Sequence, residues 1–265
     1  MVKEFTNKDY WAVIIGGSSG LGLATAKKLA EHGCNICIVH RDSRVRQAII
    51  DLEFEKIKNE GVEFKAFNAD AISPERRTEI IKELKEILGK EGCIRVMVHS
   101  IAKGNLKPMV HEEKQTLKND DFSLTINAMA ISLYDWVSAL FDAKLFSNDA
   151  RIISFTSEGN TKVWKNYAAV SAAKVALEAI TRSIALEFSP YGLRANCIQA
   201  GVTETSSFRL IPGSDQIKEH TLRRNPFKRL TIPEDVANVV YLLSKDEASW
   251  INGTIIQVDG GEHMS

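Results

Sequence analysis

The 265-residue chain is 44% hydrophobic, enough for the buried core of one large α/β domain or two small ones. Its 34 basic side chains equal its 34 acidic ones, so no net field draws it to nucleic acid or to an anionic membrane, and neither is expected as a partner. No apolar leader follows a basic start, and no run reaches the ~18 apolar residues of a membrane span, so a cytoplasmic protein is expected. In chain order, short β-branched apolar runs recur at 11–15, 36–39, 62–67, 94–98, 152–155, 194–198 and 254–258, each reading as a strand buried on both faces. Segments with helical spacing lie between them at 21–32, 74–88, 122–145, 167–188 and 233–243. This alternation predicts an α/β fold, a three-layer doubly wound parallel sheet of about seven strands with helices on both faces and the site at the C-terminal strand ends. One domain over 1–265 is expected, with the long irregular stretch 201–230, from residue 202 onward, acting as a lid over substrate.

The four cysteines, Cys34, Cys37, Cys93 and Cys197, are too few for a disulfide framework. Cys34 and Cys37 have the Cys-x2-Cys spacing of metal and redox sites. They lie in a strand-like run, where residues three apart point to opposite faces, and no second ligand pair follows; no metal is expected.

The first strand runs into Gly16-Gly17-Ser18-Ser19-Gly20-Leu21-Gly22 and then into a helix. Glycines let the backbone turn tightly and approach a pyrophosphate, while the helix start offers free N–H groups and the positive end of its dipole. Eighteen residues past Gly22, where an NAD-selective fold places a carboxylate on the ribose, stand His40 and Arg41. A guanidinium able to bind a 2′-phosphate favours NADPH, with NADH the lesser candidate. The alternative for Arg41 is a solvated loop charge beside Asp42.

With these residues the chain resembles the short-chain dehydrogenase/reductase family over essentially its whole length. Asp70-Ala71 after the third strand is similar to the family's adenine-binding Asp, Asn127 to its helix asparagine, Ser157 to its serine after the fifth strand, and Lys174 to its lysine; Asp259-Gly260-Gly261 closes the last strand in the family's manner. The family's usual tyrosine position, four residues before the lysine, is Val170. Tyr167 stands seven residues before Lys174, nearly two helical turns, so that both side chains would share one helix face. Tyr-x6-Lys, together with His99-Ser100-Ile101-Ala102 after the fourth strand, resembles the enoyl-acyl carrier protein reductases, and a serine at 157 resembles their NADPH-dependent branch. The chemistry gives the shift a reason. In enoyl reduction, hydride goes to the β-carbon while charge develops on the thioester oxygen several bonds away, so the acid must sit further from the nicotinamide.

The resemblance implies Tyr167, Lys174, Ser157 and Asn127 as the catalytic set, with the positive charge of Lys174 lowering the phenol's pKa. It implies cofactor contacts from Gly16, Ser18, Ser19, Gly20, Leu21, Gly22, Arg41, Asp70, Ala71, Ser100, Ile101, Lys174, Thr203 and Thr205. Arg223, Arg224, Lys228 and Arg229 form a basic cluster that could dock an acidic acyl carrier protein bearing the enoyl substrate. A homotetramer is the family's usual assembly. The expected function is enoyl-acyl carrier protein reduction in fatty-acid biosynthesis or a related pathway. The alternatives are a carbonyl or 3-ketoacyl reductase with a displaced tyrosine and a non-catalytic dinucleotide-binding protein.

Overall fold

In the computed structural model, which describes residues 3–264, seven strands form one sheet: β1 (Tyr10–Ile15), β2 (Asn35–His40), β3 (Phe64–Asn68), β4 (Cys93–His99), β5 (Phe146–Ser157), β6 (Leu193–Ala200) and β7 (Ile255–Val258). Every pairing is parallel, in the order β3-β2-β1-β4-β5-β6-β7. The order reverses between β1 and β4, which opens a crevice at their C-terminal ends. All seven expected strands are present. β5 begins well before the predicted run because Phe146 pairs with Ile94 ahead of a register shift.

The helices are α1 (Gly20–Glu31), α2 (Arg44–Lys58), α3 (Pro74–Leu88), α4 (Asn119–Ile126), α5 (Ser132–Asp142), α6 (Ala168–Glu187), α7 (Ser206–Arg209), α8 (Ser214–Arg224) and α9 (Pro233–Ser244). Alternation along β1 divides the core. Trp11, Val13 and Ile15 pack with Ile80, Leu84, Leu133, Trp136 and Leu177 of α3, α5 and α6. Ala12 and Ile14 pack with Leu29, Ile50, Phe54, Val236 and Val240 of α1, α2 and α9. The start of α3 follows from its sequence: the Ser73 hydroxyl accepts from the Arg76 N–H at 3.2 Å, with Pro74 in the first turn.

Three helices, α2, the one-turn α7 and α8, fall outside the expected helical segments. α2 has apolar residues on both sides, with Val45, Ile49 and Leu52 exposed while Ile50, Phe54 and Ile57 are buried, which hides a single-sided repeat. α8 occupies part of the stretch expected to be irregular; only Ile217 and Thr221 of its residues are buried.

α4 and α5 form one rod, joined by a π-helical turn at Asn127–Ile131. By length and composition the rod could cross a bilayer, but its Leu133, Trp136, Val137 and Leu140 are core residues of this domain. At the opposite edge of the sheet, Asp149 receives three guanidiniums, from Arg95 at 2.5 Å, Arg151 at 2.6 Å and Arg194. Arg95 and Arg151 also donate to the Ser244 and Leu243 carbonyls, fastening the C-terminus of α9 under the sheet.

Candidate active site

The ends of β1 through β6 bring the expected residues to one edge of the sheet. β1 runs into Gly16, whose φ of 94° suits glycine. The Ser100 N–H donates to the Ile15 carbonyl at 2.8 Å, and a Cβ on Gly16 would lie 2.9 Å from the Ser100 carbonyl carbon. Ser100 and the partly buried Ile101 therefore lie against the glycine turn. Ser19 caps α1 in an extended conformation without a side-chain cap, so the first N–H groups, from Gly20 onward, are left for an anion. Thr205 stands over this turn, since its Cγ2 would lie 3.3 Å from a Cβ on Gly20. This cradle fits a dinucleotide pyrophosphate.

Arg41, after β2, forms an ion pair with Asp70, after β3. The adenine and 2′-phosphate candidates thus meet each other. Asp42 also stands at this end. Burial works to raise its carboxyl, but hydrogen bonds from Ser18 and His40, with Arg46 at 3.0 Å, hold it below the usual carboxylate range. A carboxylate is therefore present where the sequence reading counted none, with protein cations about it. For Asp70, burial is likewise outweighed by the Ile72 amide, Lys103 and Arg41. Ala71 is held from the other layer, its carbonyl accepting from Trp136 Nε1 at 2.9 Å.

His99 is buried at the end of β4, its Nε2 2.7 Å from Ser132 Oγ. Ser132 has one hydroxyl proton, which it donates to the Ala128 carbonyl at 2.8 Å, so it accepts from His99 Nε2–H. The tautomer follows from that count. Burial, then the nearby Lys174 charge, pushes His99 down to about 3, so it is neutral and serves to tie β4 to the π turn. Asn127 opens that turn, which packs against α6 and Lys174's helix face through Ala128, Met129, Val170 and Ala173. π turns of this kind concentrate at functional sites.

Tyr167 is the residue before α6 rather than its first helical residue. Its carbonyl accepts the first α6 bond, from Ser171 at 2.8 Å, and its own φ and ψ are −111° and 1°. Tyr167 is thus not separated from Lys174 by two regular helical turns, because its own backbone is non-helical. Its ring lies over Gly159, where a Cβ would come within 2.6 Å of Cε1. A side chain at 159 would displace the phenol. Val170, at the usual tyrosine position, is 6% exposed and packed against Ala128 and Met129.

Burial raises the Tyr167 phenol above its ordinary value, and Ser157 is the group that opposes this. The expected lowering by Lys174 is not what this geometry produces. Lys174 Nζ is turned onto the Phe155 carbonyl at 2.6 Å, and burial pushes it down to about 8. Glu178, one turn along α6, is buried near it and accepts from Thr156 Oγ1 at 2.5 Å. Nothing in the residue spacing flagged Glu178, or Glu158 and Glu262 below, because each becomes significant only through partners distant in the chain.

After β6, the Thr203 hydroxyl donates to Gly201 O at 2.9 Å, and the Thr205 hydroxyl accepts from the Phe208 N–H at 3.2 Å, capping α7. The expected basic cluster is dispersed. The Arg224 side chain turns inward at the end of α8 and is enclosed between Glu158 and Glu262, so it does not face a carrier protein; Arg229 pairs with Asp235 at 2.6 Å and Lys228 donates to the Arg223 carbonyl at 2.6 Å.

The chain matches the family model described as enoyl-(acyl carrier protein) reductase over residues 16–263. The 3-oxoacyl-[acyl-carrier-protein] reductase FabG of Staphylococcus epidermidis is 27% identical over 256 residues, covering 96% of this chain and 98% of that protein. The peroxisomal 2,4-dienoyl-CoA reductase of Mus musculus is 26% identical over 260 residues, covering 97% and 85%. Among solved structures, the Bacillus cereus enoyl-acyl carrier protein reductase with NADP+ and indole naphthyridinone superimposes with a TM-score of 0.87 at 25% identity, over 100% of this chain and 99% of that one. The NADH enzyme of Aquifex aeolicus gives 0.84 at 24%, over 98% of each, which shows the fold. With its doubly wound sheet, glycine turn and matched span, the chain belongs to the short-chain dehydrogenase/reductase family of oxidoreductases.

Proposed function

We propose that the protein reduces trans-2-enoyl thioesters with NADPH, the substrate being carried on an acyl carrier protein in fatty-acid biosynthesis or a related pathway. The observation that carries this reading is the pair of positions at the start of α6: apolar, buried Val170 where a ketoreductase tyrosine would stand, and Tyr167, just before the helix, against Gly159 and beside Ser157.

A bound reduced nicotinamide supplies the hydride. Gly16 and the α1 N-terminus, with Ser18, Ser19, Gly20, Leu21 and Gly22, hold the pyrophosphate; Asp70 and Ala71 flank the adenine, and Ser100 and Ile101 line the crevice. Arg41, now paired with Asp70, would bind the 2′-phosphate, and Thr203 and Thr205 would contact the nicotinamide side. Lys174, now on the Phe155 carbonyl, would donate to the ribose. Tyr167, whose raised pKa keeps it protonated near neutrality, donates to the thioester oxygen and stabilises the enolate. Ser157 orients that phenol, and Asn127 on the π turn supports proton resupply. The 202–230 segment, with Leu210 and Phe227 exposed, covers the acyl chain.

The second reading, a 3-ketoacyl reductase, is favoured by the Staphylococcus relative, a 3-oxoacyl-[acyl-carrier-protein] reductase. NADPH oxidation with crotonyl and acetoacetyl thioesters separates the two. Turnover of the crotonyl ester is expected; turnover of acetoacetyl alone would establish the ketone reading instead.

A further inference from the structure

Arg224 closes α8, Glu158 follows Ser157 directly, and Glu262 lies in the turn after β7; these three residues, far apart in the chain, share one buried cluster. The side chains are 9%, 10% and 1% exposed. Arg224 Nη2 reaches Glu158 Oε1 and, at 2.7 Å, Glu262 Oε1. The remaining carboxylate oxygens are engaged as well. Glu158 Oε2 lies 2.9 Å from Lys162 Nζ, and Glu262 Oε2 accepts from the Val202 N–H at 3.2 Å. Thr221, one turn before Arg224, donates to Glu262 Oε1 at 3.2 Å.

Ions this deep are tolerated only when paired and hydrogen-bonded, so losing one partner strands the others. The segments joined here are functionally particular. One is the turn after β5, which follows Ser157 and carries Gly159. Another is the Gly201–Thr205 path, since a Cβ on Gly201 would lie 2.9 Å from Glu262 Oε2. The third is α8, which otherwise buries little of its own surface: only Ile217 and Thr221. A helix so poorly held by apolar contacts depends on its polar anchor for its position.

The geometry points to Arg224 as a positioning residue whose guanidinium, seated between Glu158 and Glu262, fixes α8 as a wall of the acyl site and links that wall to the serine end of β5. The inference rests on the enoyl thioester reading for what the wall encloses, but the anchoring itself does not require it.

Hydrogen–deuterium exchange of the intact protein tests the anchor without turnover. In Arg224→Gln, amides of 214–224 are expected to exchange about tenfold faster while β5 and α6 keep their protection. The KM for an octenoyl thioester should rise about tenfold, with kcat and the NADPH dissociation constant nearly unchanged. Arg224→Lys, which keeps the charge, should fall between. If Arg224→Gln folds poorly, Glu158→Gln gives the same local signature. Unchanged protection of α8 would overturn the proposal, as would a loss of protection spread evenly over the molecule. A wild-type protein that reduces no thioester would defeat the functional reading and leave the exchange result to decide the anchor.

Discussion

Tyr167 is half-buried, with its ring against Gly159, and burial raises its phenol against the opposing influence of Ser157, the condition of a hydrogen-bond donor rather than a phenolate. Removing its hydroxyl alone, in Tyr167→Phe, should lower kcat by about 10²–10⁴-fold with KM little changed, as measured by NADPH oxidation with a crotonyl thioester. Lys174 carries a separate signature. Burial holds it at about 8 in the cofactor-free protein, so its ammonium is present below that pH and lost as pH rises through it. Cofactor affinity, followed by fluorescence titration, should weaken above pH about 8, and Lys174→Met should flatten the profile. Arg41→Ala should weaken NADPH binding about tenfold while leaving NADH nearly unaffected, because only the former offers the 2′-phosphate. The glycine turn was legible because glycines between a strand and a helix declare a local backbone need. His99 was legible as part of a motif but not in its role, since its bond to Ser132 joins two elements that sequence spacing does not relate.

Among the elements, those with one apolar face and a proline in the first turn, such as α3 and α9, could be read almost to the residue. α2 could not, because its outer side also carries Val45, Ile49 and Leu52; nor could α8, which has few apolar anchors and is held by ions instead. The edge of the sheet remote from the site depends on such ionic fastening too. Asp149 is pulled down to about 2: burial alone would raise it, but Arg151 and Arg95 more than compensate. Its folded pKa lies below the unfolded one, so the stabilisation is present above pH about 4 and disappears as pH falls towards 2. After discounting for its partial exposure, this amounts to about 1–2 kcal/mol. Asp149→Asn should lower the melting temperature at pH 7 and much less at pH 2, a difference that scanning calorimetry resolves.

At the scale of the whole molecule, the parallel sheet of seven strands and the helical layers on its two faces followed directly from the alternation of strands and helices, whereas the order of the strands came only from the structure. What lay beyond sequence was the third dimension of charge: the pairing of Arg41 with Asp70, and the inward turn of Arg224 from a run that looked like a basic surface. Exposed apolar side chains remain on the rod and on α6, namely Leu124, Ile131, Tyr134, Val175 and Leu186. We propose that they are covered in a homotetramer. Light scattering after gel filtration should return four chain masses, and Tyr134→Glu should reduce that number.

The rod that carries Asn127 has a consequence of its own. A π turn contains one residue more than regular α-helical winding needs, and one residue corresponds to about 100° of rotation about the axis. Asn127–Ile131 therefore acts as a phase adjuster between two helices that share one axis. Delete a single residue there and α4 would wind on smoothly into α5 with both helices keeping their present faces; rewind the same residues as regular α-helix instead, and every side chain before the turn would swing by about 100° from the face it now presents to α6.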